Sequence, residues 1–212
     1  MMKKLRMGHY FFYGFGLIIL ALGIALTIQS QLGTSPFDAL LVGLSENIGF
    51  TVGSWEIILA LIIIIMNSLL IKKRPEFLGL VSAILTGVGI DLWLKLIETL
   101  IAPELWIGKL ISYIIGLILI GLGTAMYLYT NFAPAPIDQL MLIIRELTKI
   151  SILFSRTLQY LLFMILAIIF GGPIGIGTVI TLFLGGPILS FFMPIVEKRL
   201  DAFLLRREAR FT

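Results

Sequence analysis

Residues 33–41 read GTSPFDALL, and residues 133–141 read APAPIDQLM. A proline and an aspartate two places apart recur at an interval of 100 residues: Pro36 and Asp38 first, Pro136 and Asp138 second. Toward the N-terminus, the same interval pairs Tyr13 with Tyr113, Gly16 with Gly116, Gly23 with Gly123 and Ala25 with Ala125, with no gap across 13–40. Apolar residues match easily by chance in an apolar chain, whereas Gly, Pro, Asp and Tyr do not. The chain therefore reads as two copies of one unit, and a repeat of this kind sets the architecture ahead of any single element.

The surroundings of the motif are those of a membrane protein. Of 212 residues, 59% are hydrophobic and 13% charged, with a mean hydropathy of +1.08; soluble domains sit near about 45–50% and about 25%. Six stretches, roughly 10–29, 53–71, 78–99, 108–129, 152–170 and 175–195, approach the ~18 residues or more that cross a bilayer. The fifth is the weakest, because Arg156 interrupts it, and reads either as re-entrant or as a crossing; the charge pattern favours a crossing. The first ends in Gln29-Ser30-Gln31, without the small-residue pattern of a cleaved signal. With the N-terminus in the cytoplasm, 14 of the 16 Lys and Arg fall inside, Lys95 and Lys109 excepted. This positive-inside bias predicts a multi-pass membrane protein with both termini cytoplasmic. It also accounts for the net charge of +4 without nucleic acid. Trp55 and Trp106 fall at outer interfaces and Tyr10, Tyr129 and Tyr160 near inner ones, as an aromatic belt expects.

The expected fold is all-α and polytopic: six transmembrane helices in two inverted three-helix repeats, 1–100 and 101–199, followed by a basic tail, 200–212. An odd number of spans per copy makes the second copy enter from the opposite side. Each repeat carries a short interfacial or re-entrant helix after its first span. Segment 136–149 is amphipathic and fits the cytoplasmic interface; segment 36–48 is more apolar and fits a dip into the membrane. Inverted repeats are a common construction of secondary transporters, with the site near the midplane at their interface. Architecture alone does not settle function.

The motif has a local explanation. Ser35 is a good N-cap, Pro36 suits the first helical position, and Asp38 at the third can bond back to the cap. In the second copy Ala135 stands in the cap position, so Pro136 and Asp138 must start the helix. The motif is thus either a helix start or a ligand site at depth, where Asp38 suits a cation or proton better than an anion. The candidate binding residues are Asp38, Asp138, Asp91, Ser35, Thr34 and Asn67. Asp91 shares a helical face with Lys95, an arrangement that permits an internal ion pair. Glu56 begins the second span, Arg156 occupies the same register in the fifth, and both read as end-of-span anchors. Asn67 lies deeper and suits interhelical hydrogen bonding. The glycines of the first and fourth spans suit close helix packing, and GGPIGIG at 171–177 reads as a tight outer turn. With His9 as sole histidine and no cysteine, the chain offers no metal cluster and no nucleophile–base pair. No catalytic residue, metal or cofactor is expected, and the protein reads as a non-enzyme.

The stretch Leu32-Gly33-Thr34-Ser35-Pro36-Phe37-Asp38, with an aromatic between Pro and Asp, followed by a hairpin and a degenerate second copy, resembles the YczE-type (YczE/YyaS/YitT) family of bacterial integral membrane proteins. The resemblance covers nearly the whole chain. It implies a polytopic protein and supplies no catalytic residues; Pro134 and Ala135 of the second copy depart from the first. Three functional readings follow. One is a secondary transporter or permease of a small or lipid-like solute. Another is a non-catalytic accessory subunit, held by a membrane partner or as a homo-oligomer, with apolar grooves and no polar cavity. The third is an intramembrane enzyme, which needs carboxylates converging in one cavity.

Overall fold

A computed structural model describes the backbone of residues 2–100 and 105–209 and the side chains of residues 9–98 and 105–200. Among the described residues there are eight helices: α1 (Met2–Gln29), α2 (Pro36–Ile48), α3 (Val52–Ile71), α4 (Gly79–Leu100), α5 (Trp106–Tyr129), α6 (Pro136–Thr148), α7 (Ile152–Ile169) and α8 (Ile176–Ala209). Six contain stretches long and apolar enough to cross a membrane, all but α2 and α6. The fifth is a continuous 18-residue helix, so Arg156 does not shorten it below a crossing. α8 continues into the basic C-terminal segment as far as Ala209; the side chains of that segment lie outside the described residues.

At the centre, α1 and α5 cross antiparallel with almost no side chain between them. A Cβ on Gly23 would lie 2.7 Å from the Gly116 carbonyl oxygen, and one on Gly123 would lie 2.7 Å from that of Gly16. Only glycine permits this approach, the membrane counterpart of small-residue packing. Around this pair, α1 packs on α4 and α5 on α8, α3 on α4 and α7 on α8. The two short helices do not stay within their own half of the chain: α2 packs on α7 as well as α3, and α6 packs on α3 as well as α7.

The turns before the short helices are tied down. Gly33 has φ of +93°, and a Cβ there would meet the Gly175 nitrogen at 2.6 Å, so both conformation and space demand glycine. The Gly177 amide donates to the Leu32 carbonyl at 2.7 Å. In the second copy, the Tyr13 hydroxyl of α1 donates to the Ala133 carbonyl at 3.2 Å. Residues 170–175 form the expected turn between α7 and α8. That turn also receives α2, since Gly43 and Gly172 sit backbone to backbone.

Both short helices have buried starts and exposed ends. Residues 36–44 of α2 are buried, and residues 46–50 are exposed. In α6, Pro136, Asp138, Leu140, Met141 and Ile143 are buried while residues 145–149 are exposed. The start of 136–149 is therefore enclosed by other helices, and only its last residues are exposed. Its apolar stripe faces α3 and α7, protein in place of lipid.

Candidate functional site

The first Pro-Asp helix starts as its residues dictate. Ser35 is the N-cap with Pro36 next. The Ser35 Oγ accepts from the Asp38 amide at 3.2 Å and donates to the Asp38 carboxylate at 2.5 Å. Thr34 also stands beside that carboxylate, and its hydroxyl bonds that of Thr27 in α1 at 2.7 Å. Asp38 is thus held by neutral hydroxyls, although it is only 4% exposed.

The second start is held from outside. Ala135 offers no side-chain cap. Asp138 instead accepts from the Tyr127 hydroxyl of α5 and forms an ion pair with Arg156 of α7. Asn67 of α3 donates to the Pro136 carbonyl at 3.0 Å, and Gln159 of α7 donates to the Ile137 carbonyl. Arg156 also lies over the Tyr160 ring, 5.0 Å from its centroid. A buried ion pair is stable only when its remaining valences are met; Tyr127 and Tyr160 help meet them.

The two starts meet at a central cavity of about 50 Å³, whose walls come from seven of the eight helices, all but α8. Its polar residues are Ser35, Asp38, Glu56, Thr86, Thr124, Asp138, Arg156 and Tyr160. Glu56 is 4% exposed, lies within electrostatic reach of both aspartates, and among the described residues has no hydrogen bond or ion pair. The hydroxyls of Thr86 and Thr124 and the Arg156 Nε are buried without a partner. Of the fourteen lining residues, twelve form six pairs separated by 100 positions: 20/120, 24/124, 35/135, 37/137, 38/138 and 56/156. At the last pair the charge reverses, glutamate in one copy and arginine in the other.

Of the sequence candidates, Asp38, Asp138 and Ser35 line the cavity, whereas Thr34 and Asn67 stand behind it and hold the helix starts. Asp91 is elsewhere. Its carboxylate accepts from the Gly53 amide at 2.9 Å, tying the start of α3 to α4; among the described residues it makes no ion pair with Lys95. Glu56 and Arg156 are not end-of-span anchors. An anchor snorkels into water, but these residues are 4% and 6% exposed and point to the centre. Tyr160, expected in an inner aromatic belt, is likewise buried at the cavity. The signal for Glu56 and Arg156 lay in the same 100-residue interval that marked the aspartates.

Comparison with known proteins agrees with the membrane fold. The model of a family described as a family of unknown function, DUF6198, matches residues 7–194. The chain is 61% identical to "Uncharacterized protein YyaS" of Bacillus subtilis (strain 168) over 189 residues, 89% of this chain and 94% of that one. It is 36% identical to "Uncharacterized membrane protein YczE" of the same organism over 209 residues, 98% and 96% of the two chains. An uncharacterised Haemophilus influenzae protein is 30% identical over 185 residues, 87% and 83%. No solved structure matches. The chain belongs to the DUF6198 family, in agreement with the YczE-type resemblance, and is a multi-pass membrane protein.

Proposed function

We propose that this member of the family is a secondary transporter of a small solute, built as an inverted repeat with its site in the central cavity. One observation carries the reading: the walls of the cavity are made of residues in equivalent positions of the two copies. The wider packing supports it, because exchanging α1–α4 for α5–α8 turns each of the principal helix contacts into another that exists. Thus α2 on α7 becomes α6 on α3, and α1 on α4 becomes α5 on α8. A ligand site between inverted repeats, beside short helices that begin at depth, is the arrangement through which such folds alternate access. Under this reading both termini are cytoplasmic in a bacterial inner membrane, and the protein is not an enzyme.

The alternatives fit less well. An accessory subunit has no use for a cavity carrying three carboxylates and a guanidinium, since intramembrane ionisable groups are costly. The cavity does bring carboxylates together, as an intramembrane enzyme needs. But Asp138 is committed to Arg156 and Tyr127, which leaves Asp38 and Glu56 as the cavity's remaining carboxylates for an acid–base dyad, and about 50 Å³ leaves room beside them for little more than a few waters. The small volume also favours a small solute over a lipid.

Accessibility tests the reading, starting from a chain without cysteines. Single cysteines at Ile48 and Leu147, 55% and 58% exposed at the ends of α2 and α6, should react with an impermeant thiol reagent from opposite sides of the membrane. A cysteine at Ile120, in the cavity wall, should react from both sides, at rates that change with solute. Labelling of 48 and 147 from one side removes the inverted repeat. Labelling of 120 from one side or neither removes alternating access.

A further inference from the structure

We infer that the cavity binds a small monovalent inorganic cation between Asp38 and Glu56, with the hydroxyls of Thr86 and Thr124 completing its oxygen shell. This rests on the transporter reading and names what its site takes.

The charge balance comes first. Three carboxylates line the cavity against one guanidinium. Arg156 is paired with Asp138 and reaches Asp38 only at a distance, which leaves Asp38 and Glu56 without an ion pair among the described residues. Carboxylates removed from water need a positive partner or a proton, and one monovalent cation with one proton neutralises the two. Ser35 and Thr34 can donate to Asp38 but bring no charge, and Glu56 lacks even a donor. The starts of α2 and α6 add only partial positive charge, and that of α2 is already met by Asp38 itself.

The second observation is independent of the carboxylates. Thr86 and Thr124 are 3% and 1% exposed, their hydroxyl oxygens have no partner, and both lie in the wall of the same cavity, on α4 and α5. A buried hydroxyl without a partner is costly. Water could satisfy these two, but water leaves the charge uncompensated. A cation answers both needs, because it takes hydroxyl and carboxylate oxygens alike.

Size and ligand type narrow the class. At about 50 Å³ the cavity holds an ion with two or three waters and excludes a bulky organic cation. Among the described residues no three His, Cys, Asp or Glu are grouped to hold a metal ion, which argues against a tightly held divalent ion. Two carboxylates and two neutral oxygens suit a weakly held ion that must leave again.

The test is thermal unfolding of the full chain in detergent, in lithium, sodium or potassium chloride against choline chloride at equal ionic strength and pH. One small cation should raise the unfolding midpoint above choline. Beyond half-saturation, each tenfold increase in that cation should add a constant increment, as binding to the folded state requires. Glu56→Gln and Asp38→Asn should each abolish the difference between that cation and choline. Thr124→Val, which removes one hydroxyl at constant shape, should move half-saturation to about tenfold higher concentration, a loss of one ligand worth about 1.4 kcal/mol. The inference is overturned if all salts behave alike, if the cation effect survives in either carboxylate variant, or if the midpoint follows pH or the anion alone. A cation effect without two-sided labelling at position 120 leaves the binding site standing and removes the transporter; two-sided labelling without a cation effect does the reverse.

Discussion

The two Pro-Asp starts share a spacing and differ in how the aspartate is held. In α2 the cap is local: Ser35 bonds both the amide and the carboxylate of Asp38, and among the described residues that carboxylate makes no ion pair. In α6 the hydroxyl is missing, and Asp138 is held by Tyr127 and Arg156 from two other helices. Identical residues at the same spacing are thus held differently, because their neighbours differ: Ser35 against Ala135 at the cap, Thr27 against Tyr127, and Glu56 against Arg156. The spacing of the two starts is shared, and the charge around them is not. One aspartate ties three helices together, and the other is held by hydroxyls beside its own helix start.

The largest effects should fall on the second start. Arg156→Met or Asp138→Asn alone strands a buried charge, which costs about 3–5 kcal/mol of stability. The double variant should recover most of that loss, since removing both charges removes the need for either. Asp38→Asn should change stability by less than about 1 kcal/mol, because an amide oxygen still accepts from Ser35 and no partner is stranded. Denaturant unfolding in detergent reads all four. Equal losses for Asp38→Asn and Asp138→Asn would erase the distinction between the two starts.

Where the halves cross, the copies should instead behave alike. A Cβ at Gly23 meets the Gly116 oxygen and the Ile120 nitrogen, both at 2.7 Å. A Cβ at Gly123 meets the Gly16 oxygen at 2.7 Å and the Leu20 nitrogen at 2.6 Å. These are equivalent backbone atoms, and backbone cannot step aside as a side chain can. Gly23→Ala and Gly123→Ala should each cost about 1–3 kcal/mol as overpacking, and by similar amounts. Gly14→Ala meets nothing within 4 Å and should leave the protein unchanged or stabilise it by up to about 1 kcal/mol. Unequal costs at 23 and 123 would carry the asymmetry beyond the Pro-Asp starts into the scaffold.

What could be read in the sequence follows the range of the forces involved. Span length and helix capping are local, so the six crossings and the Ser35–Asp38 start were legible. Glu56 and Arg156 were seen in matching registers but read as anchors, because each lies within about a turn of its helix's start, where a snorkelling residue also lies. Their burial comes from the short helices packing across to α7 and α3 of the other copy, a long-range fact with no local mark. Asp91 illustrates the converse. The i,i+4 spacing suggested Lys95 as its partner, but the contact of Gly53 with Gly87 brings the start of α3 against α4 and offers a backbone amide instead.

The smallest effects sit at the caps themselves, where the two starts first diverge. Ser35→Ala removes the acceptor for the Asp38 amide and a donor to its carboxylate, and an N-cap of this kind is worth about 1 kcal/mol. The reverse exchange, Ala135→Ser, supplies the hydroxyl the second start lacks, but it cannot return the same energy. The Asp138 carboxylate already has a phenol and a guanidinium, and Ala135 is 3% exposed, so a new hydroxyl gains an amide and loses its hydration. The expected gain is less than about half the Ser35→Ala loss, read as unfolding midpoints of the two variants side by side. A gain equal to that loss would mean that Asp138 is as weakly held as Asp38, and the anchoring role assigned to the Arg156 pair would fail with it.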